Sequence, residues 1–168
     1  MYSLQNLRDE IDAIDDQLFT LLHKRAAIVE QVGHLKRSGG EVFFTKPDRE
    51  FNMIKSLQSK LAALPEPKYQ QEALSTMWRT IITASLMLEN EFSIGFFEPE
   101  AQKPLHAYYT TFCPTTNFIT KHQALQALQN SEITILASLH IIDDLKIEKF
   151  ADSGILNWLE ICHFYRKK

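Results

Sequence analysis

Most of the devices that announce a chemistry are missing from this chain. Its two cysteines, Cys113 and Cys162, form no CxxC pair, so a reducing cytoplasm is the expected compartment. There is no HExxH and no carboxylate–histidine cluster at ligand spacing, so no metal is expected. Without a GxSxG or a Walker-type glycine loop, neither an activated serine nor a nucleotide is expected, and no cofactor is called for. The start, MYSLQNLRDEID, has no basic stretch leading into an apolar one, so no signal peptide is expected. No apolar run approaches the ~18 residues of a bilayer span. The net charge of −3 gives no reason to expect nucleic acid or a membrane surface as partner. Internal repeats and low-complexity segments are absent too.

What is present is a helical pattern. The 168 residues are 45% hydrophobic, enough for one helical domain with a core and a small appendage. Leu4, Leu7, Ile11, Ile14, Leu18, Leu21, Ile28, Val32 and Leu35 follow alternating steps of three and four, the seam of one long helix over 4–37. Ser3 is placed to cap it, Asp9 and Glu10 lie near its positive end, and Gly39-Gly40 stop it. Phe43-Phe44-Thr45 reads as a linker. Lys46-Pro47-Asp48 reads as the start of a second helix, which runs to about Leu64 with Ile54, Leu57, Leu61 and Leu64 on one side, until Pro65 and Pro67 end it. A third helix is expected over 69–92, with the stripe Leu74, Trp78, Ile81, Leu88 and Phe92. Beyond it, Ser93 to Phe97 reads as a weak strand and 98–118 as irregular, because Pro99, Pro104 and Pro114 fall there. A short helix over 120–130, a strand over 132–139 and one more helix or strand near the end complete the reading. The apolar stripe of the first helix is longer than the second helix can cover, and a second copy of the chain is its simplest cover.

Each helix carries a polar residue where its stripe should be apolar. The seam 18, 21, 25, 28 meets Arg25. The second stripe, extended one turn back from Ile54, meets Glu50. The third, extended one turn beyond Ile81, meets Ser85, with Glu89 a turn further on. One such interruption serves register or snorkels to water; three on three helices fit either a buried Arg–Glu ion pair or, equally, a polar pocket in a bundle. Lys36 lies eleven residues beyond Arg25, on nearly the same side of the helix. Arg49 and Lys46 bracket the start of the second helix, and Arg8 lies near the start of the first. Guanidinium groups bind carboxylates through paired hydrogen bonds, so the set suits a small dicarboxylate. His23 and His34 read as surface residues, and Asp12, Asp15 and Asp16 as a solvated face. Fixed cations without nucleophile, metal or cofactor loop suit catalysis by a preorganised field.

Several blocks resemble the all-helical, type II chorismate mutases: Leu7-Arg8-Asp9-Glu10-Ile11-Asp12-Ala13-Ile14-Asp15, Leu21-Leu22-His23-Lys24-Arg25, Val32-Gly33-His34-Leu35-Lys36, Pro47-Asp48-Arg49-Glu50, and the run from Trp78 to Glu89. The resemblance covers about residues 4–92. It implies a mainly α fold in which three-helix chains intertwine as a homodimer, with 1–92 as the mutase domain and 93–168 as a small α/β extension. It implies a cytoplasmic enzyme of aromatic amino acid biosynthesis that rearranges chorismate to prephenate with no cofactor or metal. By the same resemblance, Arg25 binds a substrate carboxylate and Arg8 reaches into the partner's site to bind the other. Lys36 bonds the ether oxygen of the breaking bond, with Glu89 opposite. Glu50 accepts from the ring hydroxyl, and Arg49 and Ser85 complete the wall. Where some members have glutamine this chain has Glu89, and Lys46 stands where some carry an acidic residue. An isochorismate-pyruvate lyase on the same scaffold and a non-catalytic dimeric regulatory module are the rival readings. The segment from Phe92 to Glu100, with Thr120 to Leu139, faintly resembles parts of a prephenate dehydratase domain, and about 75 residues are too few for a whole one.

Overall fold

The computed structural model describes residues 3–41, 45–109, 111–152 and 162–168. They fall into two compact units, 1–44 and 45–168. The linker residues Phe43 and Phe44, and residues 153–161 of the tail, lie outside the described residues.

The first unit is one helix, α1 (Leu4–Ser38). Ser3 opens it with a capping box: its Oγ accepts from the Asn6 amide at 3.1 Å while Asn6 Oδ1 accepts from the Ser3 amide at 3.1 Å. Two orphan donors of the first turn are thus satisfied. At the other end Gly39 donates to the Leu35 carbonyl at 2.9 Å, and Gly40 takes a φ of +75°, a left-handed conformation suited to glycine. Lys36 and Arg37 place their charges in the last turn, where the helix dipole favours cations. The predicted seam is present and bare: Leu7, Ile11, Ile14 and Leu18 are 46–57% exposed.

The second unit begins with α2 (Pro47–Ala62) and α3 (Gln71–Glu89), which pack against each other. Ile54 and Leu61 are buried on α2, Ile82 and Leu86 on α3, and Gln58 Nε2 donates across to Ser75 Oγ at 3.0 Å. Helix α3 is shorter than expected. Asn90 is already extended, which turns Phe92 towards Tyr109 at 5.4 Å between ring centroids. The buried face of α3 also differs from the expected stripe. Ser75, Arg79, Ile82, Ser85, Leu86 and Glu89 are buried, while Leu74, Trp78 and Ile81 form a half-buried flank and Leu88 is exposed.

A five-stranded mixed sheet follows. Strands β1 (Ile94–Phe96), β2 (Thr115–Asn117), β3 (Ile135–Ser138), β4 (Ile147–Asp152) and β5 (His163–Lys167) lie in the order β2-β1-β3-β5-β4. β1 pairs in parallel with β2 and β3, and β5 runs antiparallel to both its neighbours. The parallel pairs need crossovers. Helix α4 (Gln102–Tyr109) joins β1 to β2, and α5 (Lys121–Gln129) joins β2 to β3. Segment 98–118, expected to be irregular, thus contains α4 and β2. Pro99 opens a 3-10 turn and Pro104 sits in the first turn of α4, where a missing N–H costs nothing.

Each face of the sheet has its own core. Ala124, Ala127 and Leu128 of α5 join Ile133, Leu136, Ile142, Ile147 and Tyr165. Phe164, one residue from Tyr165 and so on the opposite face, packs against the rings of Tyr108 and Tyr109 at 4.9 and 5.0 Å. Gly95 allows close packing in β1: an added Cβ would lie 2.3 Å from Ile133 Cδ1 and 2.7 Å from Phe118 Cε2.

Burial pushes the Cys113 thiol up from its ordinary value near 9 to about 12. A raised thiol stabilises the fold while neutral. That contribution is complete below the unfolded value and is lost as pH climbs from about 9 through about 12. Native protein in mild alkali should therefore leave Cys113 untouched by iodoacetamide, with peptide mass showing the label only after unfolding. The urea-midpoint advantage of wild type over Cys113→Ala should shrink across the same pH window. Labelling of Cys113 in the folded chain would contradict this.

Candidate active site

The expected site residues divide between the two units. Arg8, Arg25 and Lys36 lie on α1; Lys46, Arg49, Glu50, Ser85 and Glu89 lie in the second unit. Arg25 and Lys36 are half-buried, and at ~1.5 Å per residue about 16 Å separates them along the helix axis. Their neighbour Arg37 is exposed and lies 3.2 Å from His34 Nδ1, so of the adjacent pair Lys36 and Arg37 the former is the less exposed. Arg8 is exposed, seventeen residues and about 26 Å from Arg25.

In the second unit the polar residues on the α2 and α3 stripes are buried as expected: Glu50 is 7% exposed, Ser85 6% and Glu89 8%. Ser85 and Glu89 sit one turn apart on α3, and Ser85 Oγ donates to the Ile81 carbonyl at 2.7 Å. Arg49 and Lys46 are exposed beside Glu50. Glu50 does more than interrupt a stripe. Its Oε1 accepts from the Lys46 amide at 3.3 Å, a capping bond at the start of α2 where Lys46 offers no side-chain cap.

Its other oxygen reveals a residue that the sequence reading passed over. Arg79 is 1% exposed, and its Nη1 donates to Glu50 Oε2 at 2.9 Å. Arg79 Nε donates to the Tyr108 carbonyl at 2.8 Å, and the guanidinium carbon lies 3.7 Å from the centroid of the Tyr108 ring. Burial works against the charge on Arg79, while Tyr108, Glu50 and Tyr109 favour it; the balance raises its pKa above the ordinary arginine value. Nη2 remains buried without a protein partner, as does the hydroxyl of Thr83 one turn on. Helices α2, α3 and α4 thus meet at one buried ion pair.

Chemically, α1 offers an ammonium and a guanidinium on one face of a rigid helix. The second unit offers a buried carboxylate held by a fixed cation, with a hydroxyl and a second carboxyl on the same helix as that cation. Among the described residues, no three His, Cys, Asp or Glu gather as a metal would require, and no helix is long and apolar enough to cross a membrane.

Comparison with known proteins gives the arrangement a context. A family model described as chorismate mutase type II matches residues 7–90. A bifunctional chorismate mutase/prephenate dehydratase of Aquifex aeolicus is 32% identical over 101 residues, which is 60% of this chain and 28% of that protein. A protein of the same description from Neisseria gonorrhoeae is 27% identical over 116 residues, 64% of this chain and 30% of that one. The T-protein of Enterobacter agglomerans is 32% identical over 97 residues, 58% of this chain and 25% of that protein. The matched part of the chain spans less than a third of each of these relatives. No solved structure matches.

Proposed function

The chain belongs to the type II chorismate mutase family, and from that premise we propose that it rearranges chorismate to prephenate in a cationic pocket built at the interface of a homodimer. The observation that carries this reading is one of coverage. Every residue assigned a role, from Arg8 to Glu89, falls inside the family match.

The rearrangement breaks a C–O bond through a compact, chair-like transition state in which negative charge grows on the ether oxygen. Lys36 supplies an ammonium to that oxygen and so stabilises the transition state more than the substrate. Arg25 and Arg8 hold the two carboxylates and with them the reactive conformer, an orientation effect. Glu50 accepts the hydrogen bond of the ring hydroxyl, and Arg49 and Ser85 close the wall around the ring. Residues 1–92 carry this chemistry. The described residues beyond 92 belong to the same compact unit as α2 and α3 and complete the core around α3. No cofactor takes part, and the reaction is placed in the cytoplasm.

Helix geometry supports the dimer. Arg8 and Arg25 lie about 26 Å apart along the axis and, at seventeen residues' separation, project from different sides of the helix. One chain's α1 is therefore poorly placed to bring both arginines to one ligand, whereas a second copy can supply its own Arg8, and the bare seam of α1 gives that copy an apolar surface to cover.

In this reading Glu89 stands opposite Lys36 at the ether oxygen, where a neutral carboxyl or an amide can donate and a carboxylate cannot. Glu89→Gln should therefore keep or raise turnover, and a loss of prephenate formation in that variant would remove Glu89 from this role. The activity itself is tested by following the loss of chorismate absorbance and identifying the product by chromatography. Prephenate supports the proposal, salicylate with pyruvate would reassign the chain to lyase chemistry, and no turnover by folded protein would reduce it to a binding module.

A further inference from the structure

We propose that Arg79 is a positioning residue for the Glu50 carboxylate, held to that task by α4. The inference rests on the proposed mutase reading, in which Glu50 receives the ring hydroxyl. A carboxylate on the first turn of a helix has rotamers to choose from. Here two bonds remove the choice: the Lys46 amide takes Oε1 and Arg79 Nη1 takes Oε2. A carboxylate has about four acceptor positions, so these two bonds fix its plane and leave others for a substrate hydroxyl.

Arg79 is fixed in its turn. Its planar guanidinium is bonded at Nε by the Tyr108 carbonyl and lies against the Tyr108 ring. Neither contact comes from α2 or from the helix that carries Arg79; both come from α4. The last link of the chain that orients Glu50 therefore lies beyond residue 92, outside the helices assigned to the reaction.

A purely structural role accounts poorly for the choice of residues. Apolar side chains of similar volume fill a buried position at no greater cost than an ion pair, which must first be desolvated. Arg79 also leaves Nη2 buried and unpaired, a further penalty. Such costs are tolerated where a charge has a task.

The test is a double-mutant cycle on turnover in the full chain, with Arg79→Met, Arg79→Lys, Glu50→Gln and Arg79→Met/Glu50→Gln, each checked for native circular dichroism at the assay temperature. The ring hydroxyl is bonded in substrate and transition state alike, so Arg79→Met should act mainly through KM. A loss of about 10- to 100-fold in kcat/KM is expected, the worth of one hydrogen bond to a charged group. Arg79→Lys keeps the cation and should recover part of the loss. In the Glu50→Gln background, Arg79→Met should cost little more, because the group it orients is already altered. Full additivity of the two losses, or a folded Arg79→Met with wild-type KM and kcat, would overturn the proposal. If Arg79→Met does not fold, the decision passes to Arg79→Lys alone and in the Glu50→Gln background: additivity or wild-type kinetics there would overturn it equally. A wild-type chain that turns over no chorismate would overturn the mutase reading together with this one, an outcome distinct from both.

Discussion

Exchanging Lys36 for alanine is expected to lower prephenate formation about 10²–10³-fold, the usual effect of removing one donor from a site that stabilises developing charge. The loss should appear in kcat more than in KM, because the ether oxygen carries its charge in the transition state and not in the bound substrate. Lys36 sits in the last turn of α1, whose closing bonds run from Gly39 to the Leu35 carbonyl and from Glu41 to the Lys36 carbonyl. Neither bond involves the side chain, so the variant should keep the helix, which far-UV circular dichroism checks. The assay is chorismate disappearance with product chromatography. Turnover within a few-fold of wild type would show that no ammonium at position 36 drives the reaction.

Mixing two inactive chains is expected to restore activity. Arg8→Ala should be inactive because each site would lose its contact from the partner, and Lys36→Ala because each site would lose its own ammonium. In a mixed dimer one site has both substitutions and the other has neither. Random pairing makes half the dimers mixed, and one site in two is intact in each, so about a quarter of wild-type activity should return on co-refolding. Few single observations would separate the proposed intertwined dimer so cleanly from a chain that builds its site alone. If Arg8 served the site of its own chain, the mixture would stay as inactive as its parents.

What could be read from the sequence depended on whether packing was local. The seam of α1 is periodic over nine turns, with no proline and a serine cap, so helix and bare stripe were both legible before any coordinates. Arg25, Glu50 and Ser85 were legible for the complementary reason: each breaks a pattern. Arg79 breaks none. It follows Trp78, which the expected stripe had taken as the inward residue, and an arginine in that setting reads as surface charge. The structure turns α3 so that Ser75, Arg79, Ile82 and Leu86 face inward, and the partners that make this affordable, Glu50 and Tyr108, are each 29 residues away in the chain. A second inward series at steps of four and three was present in the sequence, but its polar members masked it. Helix α4 was missed because three prolines suggested irregular chain, although two of them sit where a helix or turn begins. The sheet was only partly legible, since three of its strands have three or four residues and their order is set by distant pairings.

The place of β5 between β3 and β4 governs the order in which the chain can assemble. On a ribosome β4 emerges before β5, yet among the described strands β4 pairs only with β5. Until His163–Lys167 is made, β4 has no edge to join, and β3 keeps a bare edge on the side that β5 will occupy. Insertion of β5 completes both pairings at once and brings Phe164 against Tyr108, whose ring and carbonyl hold Arg79. The helices that carry the proposed chemistry are synthesised before the strand that finishes the packing behind one of their charges. A nascent chain stalled before that strand would present an open sheet edge, the kind of surface on which unfinished proteins aggregate.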